Sequence, residues 1–257
     1  GLQDAIAQLV DGGVDAIAAV GGDGTQRTVA AELLDGEVAL AVIPGGTVNL
    51  LAQVLGVDDV DEAVRVAATG ETRIVDVGLI SCDGATDDVF VLNASSGWDA
   101  AVIEQVGDGA KRFGRLGFVA AGLAQWFRTE PTPVTIDVDG RRWYADPALT
   151  VLVMNVGQRG SASLDLAPDA EFDDGRLDVI VLRRHSTIGL VRAGWRIIRG
   201  RPASTADVVT AQGAEIVVAW GKAVATQRDG DERASTDRLR YRSVPGGLRV
   251  MVPSARS

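Results

Sequence analysis

Two short stretches hold residues whose types and spacing suit phosphate chemistry. Val20-Gly21-Gly22-Asp23-Gly24-Thr25 follows the apolar run Asp15 to Val20 and precedes the helix-compatible segment Gln26 to Leu34. Glycines allow backbone angles and a close approach that a side chain would block, so amides there can face an anion. The amino end of a following helix adds unpaired N–H groups and a favourable dipole. The layout recurs at Pro44-Gly45-Gly46-Thr47-Val48-Asn49, after the run Val38 to Ile43 and before Leu50 to Leu55. Turns at the carboxyl ends of neighbouring parallel strands converge on one crevice, so the two turns are expected to meet. A glycine turn after a strand is also plain tight-turn geometry, and one such motif leaves both readings standing.

The elements that must position these turns follow from the pattern of apolar residues. Leu2 to Val10 reads as a helix stopped by Gly12-Gly13, and Asp58 to Ala68 as another. From Ile74 the texture becomes strand-like: Ile74 to Ile80, Val89 to Asn93, Val134 to Val138, Leu149 to Asn155, Leu177 to Leu182, Glu215 to Ala219 and Leu248 to Val252. Asp139-Gly140 predicts a hairpin joining Val134 to Val138 with Arg141 to Ala145. Two helical intervals, Ala100 to Arg128 and Thr187 to Arg199, interrupt the strands. The fold class read from this is α/β in two domains: residues 1–73 as an α/β nucleotide-binding domain and 74–257 as a β-rich domain whose last strands return toward the first.

Composition narrows the function. The 257 residues suffice for two modest domains, and 46% apolar with 23% charged residues describes a chain that folds. A formal charge of −10 argues against broad nucleic-acid binding, which needs a basic surface. One cysteine, Cys82, and one histidine, His185, leave little for a Cys/His metal site, so any metal is expected to be oxygen-bound. No run approaches the roughly 20 apolar residues of a membrane span, and the expected location is cytoplasmic.

G-G-D-G-T at Gly21 to Thr25 followed by I-P-G-G-T-V-N-L-L-A at Ile43 to Ala52 resembles the diacylglycerol kinase catalytic family, bacterial lipid kinases related to sphingosine kinases and more distantly to NAD kinases. The resemblance extends through Gly97-Trp98-Asp99-Ala100, through Lys111-Arg112 with Gly114-Arg115, and through Ala167-Pro168-Asp169-Ala170 ahead of Asp173-Asp174-Gly175-Arg176-Leu177-Asp178. Its last motif is Asp229-Gly230-Asp231, where the family usually shows D-G-E, and it covers nearly the whole chain from Asp15 to Pro253. It implies transfer of the γ-phosphoryl group of ATP to a hydroxyl of diacylglycerol or a related lipid in the cleft between the domains. Gly21, Gly22, Asp23, Gly24, Thr25, Gly46, Thr47 and Asn49 would hold the nucleotide. Thr25, Thr47 and Asn49 can add side-chain hydrogen bonds without bulk. Asp23 beside a polyphosphate needs Mg²⁺ or a substrate hydroxyl as partner, or else bonds only its own turn.

Asp231 is the expected proton acceptor, one methylene shorter than the family's glutamate, with Glu232 as the competing choice. Asp229-Gly230 also reads as an ordinary turn between strands. Asp173, Asp174, Leu177 and Asp178 form the expected site of a structural Mg²⁺, backbone carbonyls filling positions between the carboxylates; a solvated acidic turn is the alternative. The implied partners are ATP and a lipid at a membrane surface, with peripheral association on the inner face, and a homodimer is compatible with the sequence.

The chain departs from the family at several places. Leu50 stands where N-D is usual after G-T-x, and Gln53 replaces a frequent arginine. Gln26-Arg27-Thr28 replaces a frequent L-N-E, so Arg27 either serves phosphate or points to water. The family's opening strand, N-P-x-S-G-like turn and helix have no counterpart in residues 1–14, so the amino-terminal segment is expected to be lacking. In Thr187 to Arg199, Arg192, Arg196 and Arg199 form a basic stripe that suits a membrane surface or ordinary amphipathic packing. His185 reads as a turn residue, and Trp126, Phe127, Trp143 and Trp220 as core or pocket wall. A non-catalytic lipid- or nucleotide-binding protein and, more weakly, an NAD kinase are the competing functions.

Overall fold

The computed structural model describes residues 1–57, 59–82, 86–101, 129–157, 171–183 and 208–254. The expected features at Lys111 to Arg115, Trp126, Phe127, Ala167 to Ala170, His185 and Thr187 to Arg199 lie outside them.

The first α/β unit is built as the apolar runs dictate. Helix α1 (Leu2–Asp11) leads to β1 (Ala16–Gly21), helix α2 (Asp23–Glu32), β2 (Ala39–Pro44), the short helix α3 (Leu50–Val54) and helix α4 (Val60–Thr69). Strands β1 and β2 pair in parallel, from Ala16 opposite Ala39 to Gly21 opposite Pro44, so both glycine turns leave the same end of the sheet. Asp59 begins α4 by accepting the Glu62 amide at 2.8 Å, satisfying one of the amides a helix start leaves over.

The remaining strands pair antiparallel with one another. They are β3 (Glu71–Cys82), β4 (Asp88–Phe90), β5 (Asn93–Gly97), β6 (Thr132–Val138), β7 (Arg141–Ala148), β8 (Thr150–Met154), β9 (Leu177–Leu182), β10 (Val208–Gly213), β11 (Glu215–Arg228) and β12 (Asp231–Val252). The sheet path runs β1-β2-β12-β11-β5-β8-β9-β10, with β3 also on β12 and β6 on β11. The expected Asp139-Gly140 hairpin is present, both residues at positive φ (48° and 75°), as a two-residue turn between right-twisted strands requires.

Strand β12 ties the two parts together. Asp231 to Arg242 pair with β11, Leu239 to Val252 pair with β3, and near the end Val250 pairs in parallel with Leu40 of β2. Leu239 and Tyr241 therefore pack into the core of the β-rich part with Ile80, Ile136, Val151, Val179 and Val218. Leu248 and Val250 pack instead with Leu40, Val42, Val29, Leu51 and Val66 in the core of the α/β part. The strand expected at Val89 to Asn93 is broken at Val91 and Leu92, because their amides donate to a carboxylate rather than to a neighbouring strand. That carboxylate belongs to Asp229.

Candidate active site

Helix α2 starts inside the first glycine motif rather than after it. Gly22 precedes the helix, Asp23 opens it, and no side chain caps its amino end. The Thr25 amide donates to the Gly22 carbonyl at 3.0 Å, and the amides of Asp23 and Gly24 before it are left to whatever anion approaches. The second turn lies directly alongside. The Gly45 amide donates to the Gly21 carbonyl at 2.9 Å. A Cβ on Gly46 would stand 2.6 Å from the Gly22 Cα, so the two backbones meet at a distance only glycine permits.

Side chains then lock this double turn. Asn49 adopts a left-handed conformation (φ 54°), its Oδ1 accepting the Gly46 amide at 2.8 Å and its Nδ2 donating to the Gly46 carbonyl at 2.9 Å. Both polar atoms of Asn49 therefore shape the turn, while Thr25 and Thr47 stay exposed. The Asp23 Oδ1 accepts the Leu51 amide at 3.0 Å, a cap for α3 supplied by another helix. Leu50 removes a polar side chain here, but the backbone amide after it still engages Asp23. Gln26 is fully buried, and its Nε2 donates to the Gly21 carbonyl at 3.0 Å. Its part in holding the first turn is a role that sequence reasoning missed; the one signal available was a polar residue on the helix face that must be buried.

The Asp229-Gly230-Asp231 loop comes to this double turn from two hundred positions away. Asp229 (φ 44°) and Gly230 (φ 82°) form a tight hairpin turn between β11 and β12, as a D-G pair allows. The Asp229 carboxylate accepts the amides of Val91, Leu92 and Asn93 at 2.8, 2.9 and 3.0 Å. Burial raises the pKa of Asp229; those three donors oppose the rise, as does the charge of Arg27, without reversing it. This pinned turn aims Asp231 at α2. Its Oδ2 lies 2.6 Å from Nη2 of Arg27 and 3.4 Å from where a Cβ on Gly24 would stand. Successive strand residues take opposite faces, which carries Glu232 away from the face that Asp231 presents to α2.

Arg27 does not point to water: its side chain is 11% exposed, against 55% for Asp231. Asp23, Arg27, Leu51, Val91, Leu92 and Asp229 line one small hollow beside the double turn. The structure thus brings together Gly21 to Thr25, Gly46, Asn49 and Asp231, and adds Arg27 and Asp229.

The other acidic turn is organised differently. Asp173 pairs with Arg73 at 2.8 Å, Asp174 accepts the Arg176 amide at 2.9 Å, and Asp178 accepts Nε2 of Gln212 at 3.0 Å. Leu177 is fully buried at the start of β9. Among the described residues no group of three acidic, Cys or His side chains could hold a metal ion. Each carboxylate expected to hold Mg²⁺ has a protein partner in this arrangement. What fixes this turn is the buried Asp76, which accepts the amides of Gly175 at 2.6 Å and Gly246 at 2.7 Å. Nothing in the sequence of β3 marks Asp76 except a carboxylate inside an apolar run.

Comparison with known proteins settles the kinship. The model of the diacylglycerol kinase catalytic domain matches residues 2–80, and that of the YegS C-terminal NAD kinase beta sandwich-like domain matches residues 93–252. The chain belongs to the diacylglycerol kinase family of lipid kinases. It is 30% identical over 258 residues to the "Probable lipid kinase YegS-like" protein of Stenotrophomonas maltophilia (strain K279a), covering 97% of this chain and 82% of that one. It is 26% identical over 250 residues to the diacylglycerol kinase of Mycobacterium tuberculosis (strain ATCC 25618 / H37Rv), covering 96% and 80%. A structure of a diacylglycerol kinase from Bacillus anthracis str. Sterne superposes with a TM-score of 0.69 at 22% identity, covering 98% of this chain and 82% of that one, a likeness that speaks for the fold. Among the described residues no helix is long and apolar enough to cross a membrane.

Proposed function

We propose that this lipid kinase transfers the γ-phosphoryl group of ATP to a free hydroxyl of diacylglycerol or a related lipid. The observation that carries the reading is the approach of Asp231 to the start of α2, beside the uncapped helix turn and the paired glycines. Phosphates of the nucleotide lie against the amides of Gly22 to Gly24 and the backbone at Gly46, with the Thr25 and Thr47 hydroxyls at the rim. The lipid hydroxyl approaches the γ-phosphorus from the Asp231 side. Its oxygen forms the new P–O bond, the bond from phosphorus to the bridging oxygen breaks, ADP leaves, and the hydroxyl proton passes to the Asp231 carboxylate. Strand alternation favours Asp231 over Glu232 for that role.

On this reading residues 1–73 supply the nucleotide half and residues 74–257 the lipid half, with β12 returning to β2 so that both halves share one sheet. The lipid is met at the inner surface of the membrane, where the protein associates from the cytoplasm. The test is transfer from γ-labelled ATP to a panel of diacylglycerol, sphingoid base, phosphatidylglycerol and ceramide presented in mixed micelles. The proposal expects label in at least one lipid with a free hydroxyl; no label in any would sink it and favour a binding protein.

A further inference from the structure

Resting on the reading of Asp231 as proton acceptor, we propose that Arg27 is the positioning residue for that carboxylate. Arg27 sits on the second turn of α2, one turn after Asp23, so both side chains share a helix face. Its guanidinium is fixed at two points, Nη2 on the Asp231 Oδ2 at 2.6 Å and Nη1 at 3.5 Å from the Arg228 carbonyl at the end of β11. The side chain is nearly enclosed while the carboxylate it holds remains half-exposed. That is the arrangement of a support and a working group: the enclosed cation is tethered to helix and hairpin, and the accessible acid is held by one oxygen.

Charge supports the same role. Arg27 lines a hollow with Asp23 and Asp229, pairs with Asp231, and its charge is felt by the Asp229 carboxylate and by the neighbouring Arg228 guanidinium. Without Arg27 the short Asp231 side chain would lose the ion pair that holds it against α2. An aspartate has only two rotatable side-chain bonds, and anchoring one oxygen fixes where the other can meet a hydroxyl. The planar guanidinium does this better than an ammonium would.

The experiment compares wild type, Arg27→Gln, Arg27→Lys and the double variant Arg27→Gln/Asp231→Glu, each as the whole chain. For the lipid that accepts label, Arg27→Gln should lower kcat roughly 10- to 100-fold while KM for ATP changes less than about threefold, since misplacement of a reacting group costs turnover rather than binding. Arg27→Lys should restore part of kcat, and the longer acid of the double variant roughly tenfold of it, because added reach compensates for the lost tether. An Arg27→Gln enzyme within about twofold of wild type in kcat would overturn the proposal. So would a rise in KM for ATP at unchanged kcat, which would make Arg27 a phosphate ligand. A second arm needs no activity: the Arg27 Nε–H NMR signal should shift in Asp231→Asn, and a signal that stays put overturns the pairing. A wild-type chain that labels no lipid, with the signal shifting, would instead defeat the kinase reading and leave the pair in place.

Discussion

The two acidic turns of the β-rich part look alike as sequence and differ as structure. Asp173 to Asp178 and Asp229 to Asp231 are both clusters of aspartates around a glycine, and each is pinned by a buried aspartate that accepts backbone amides. In the first the pin is Asp76, a residue of another strand, and the turn's own carboxylates are spent on Arg73, Gln212 and a local amide. In the second the pin is Asp229 itself, which frees Asp231 to reach Arg27 and the glycine turn. On the proposed function the second turn is the working one, since one member fixes the backbone and another faces α2.

Several variants would break or sharpen that contrast. Replacing Asp229 with Ala strands three amides in a largely buried place and should cost about 3 kcal/mol by chemical denaturation, since unsatisfied buried donors are expensive. A loss no larger than that of a surface pair would remove the distinction between pin and working group. Gly46→Ala tests the surface that receives Asp231: its Cβ would press on the Gly22 backbone, and about 2 kcal/mol of stability should be lost together with nucleotide binding. Asp76→Ala should cost about 2 kcal/mol, with two amides orphaned, and should disturb the 173–178 turn in preference to the active site. Asp173→Asn breaks only an exposed pair with Arg73 and should change stability by no more than about 1 kcal/mol.

A smaller effect depends on pH. The carboxyl of Asp99, which accepts the hydroxyls of Ser95 and Thr150, has a pKa raised above 3.8 by burial, those two hydrogen bonds opposing the rise. A raised pKa means that the folded state binds the proton more tightly than the unfolded chain. The stabilisation from Asp99 is therefore complete below 3.8 and is lost as pH rises through the higher folded value. The melting temperature of wild type relative to Asp99→Asn should fall over that window, and a difference independent of pH would contradict the assignment.

The sequence made the glycine turns and much of the sheet legible because each rests on local rules. Leu177 to Leu182 is apolar but for Asp178, and it is strand β9 to the residue. Strand β12 was legible only at Leu248 to Val252, although it begins at Asp231. Its first half is rich in arginine, and Pro245-Gly246-Gly247 further on reads as a turn; there the pairing with β3 shifts register between Val244 and Leu248 and then resumes, so long-range pairing carries the strand past that local preference. The break at Val91 and Leu92 was invisible for the same reason, since its cause lies at Asp229. Asp231 could be singled out from its motif, but its partner Arg27 could not, because the contact joins positions 204 apart and depends on how the hairpin enters the α/β part.

The central claim is that the Asp229 to Asp231 turn is the working one. Lipid phosphorylation by Asp231→Asn and Asp173→Asn, measured side by side on folded protein, tests it most directly. Removing a proton acceptor should lower kcat by roughly 10²-fold or more in Asp231→Asn, while Asp173→Asn stays within about threefold of wild type. Equal losses in the two variants, or full activity in Asp231→Asn, would contradict the account.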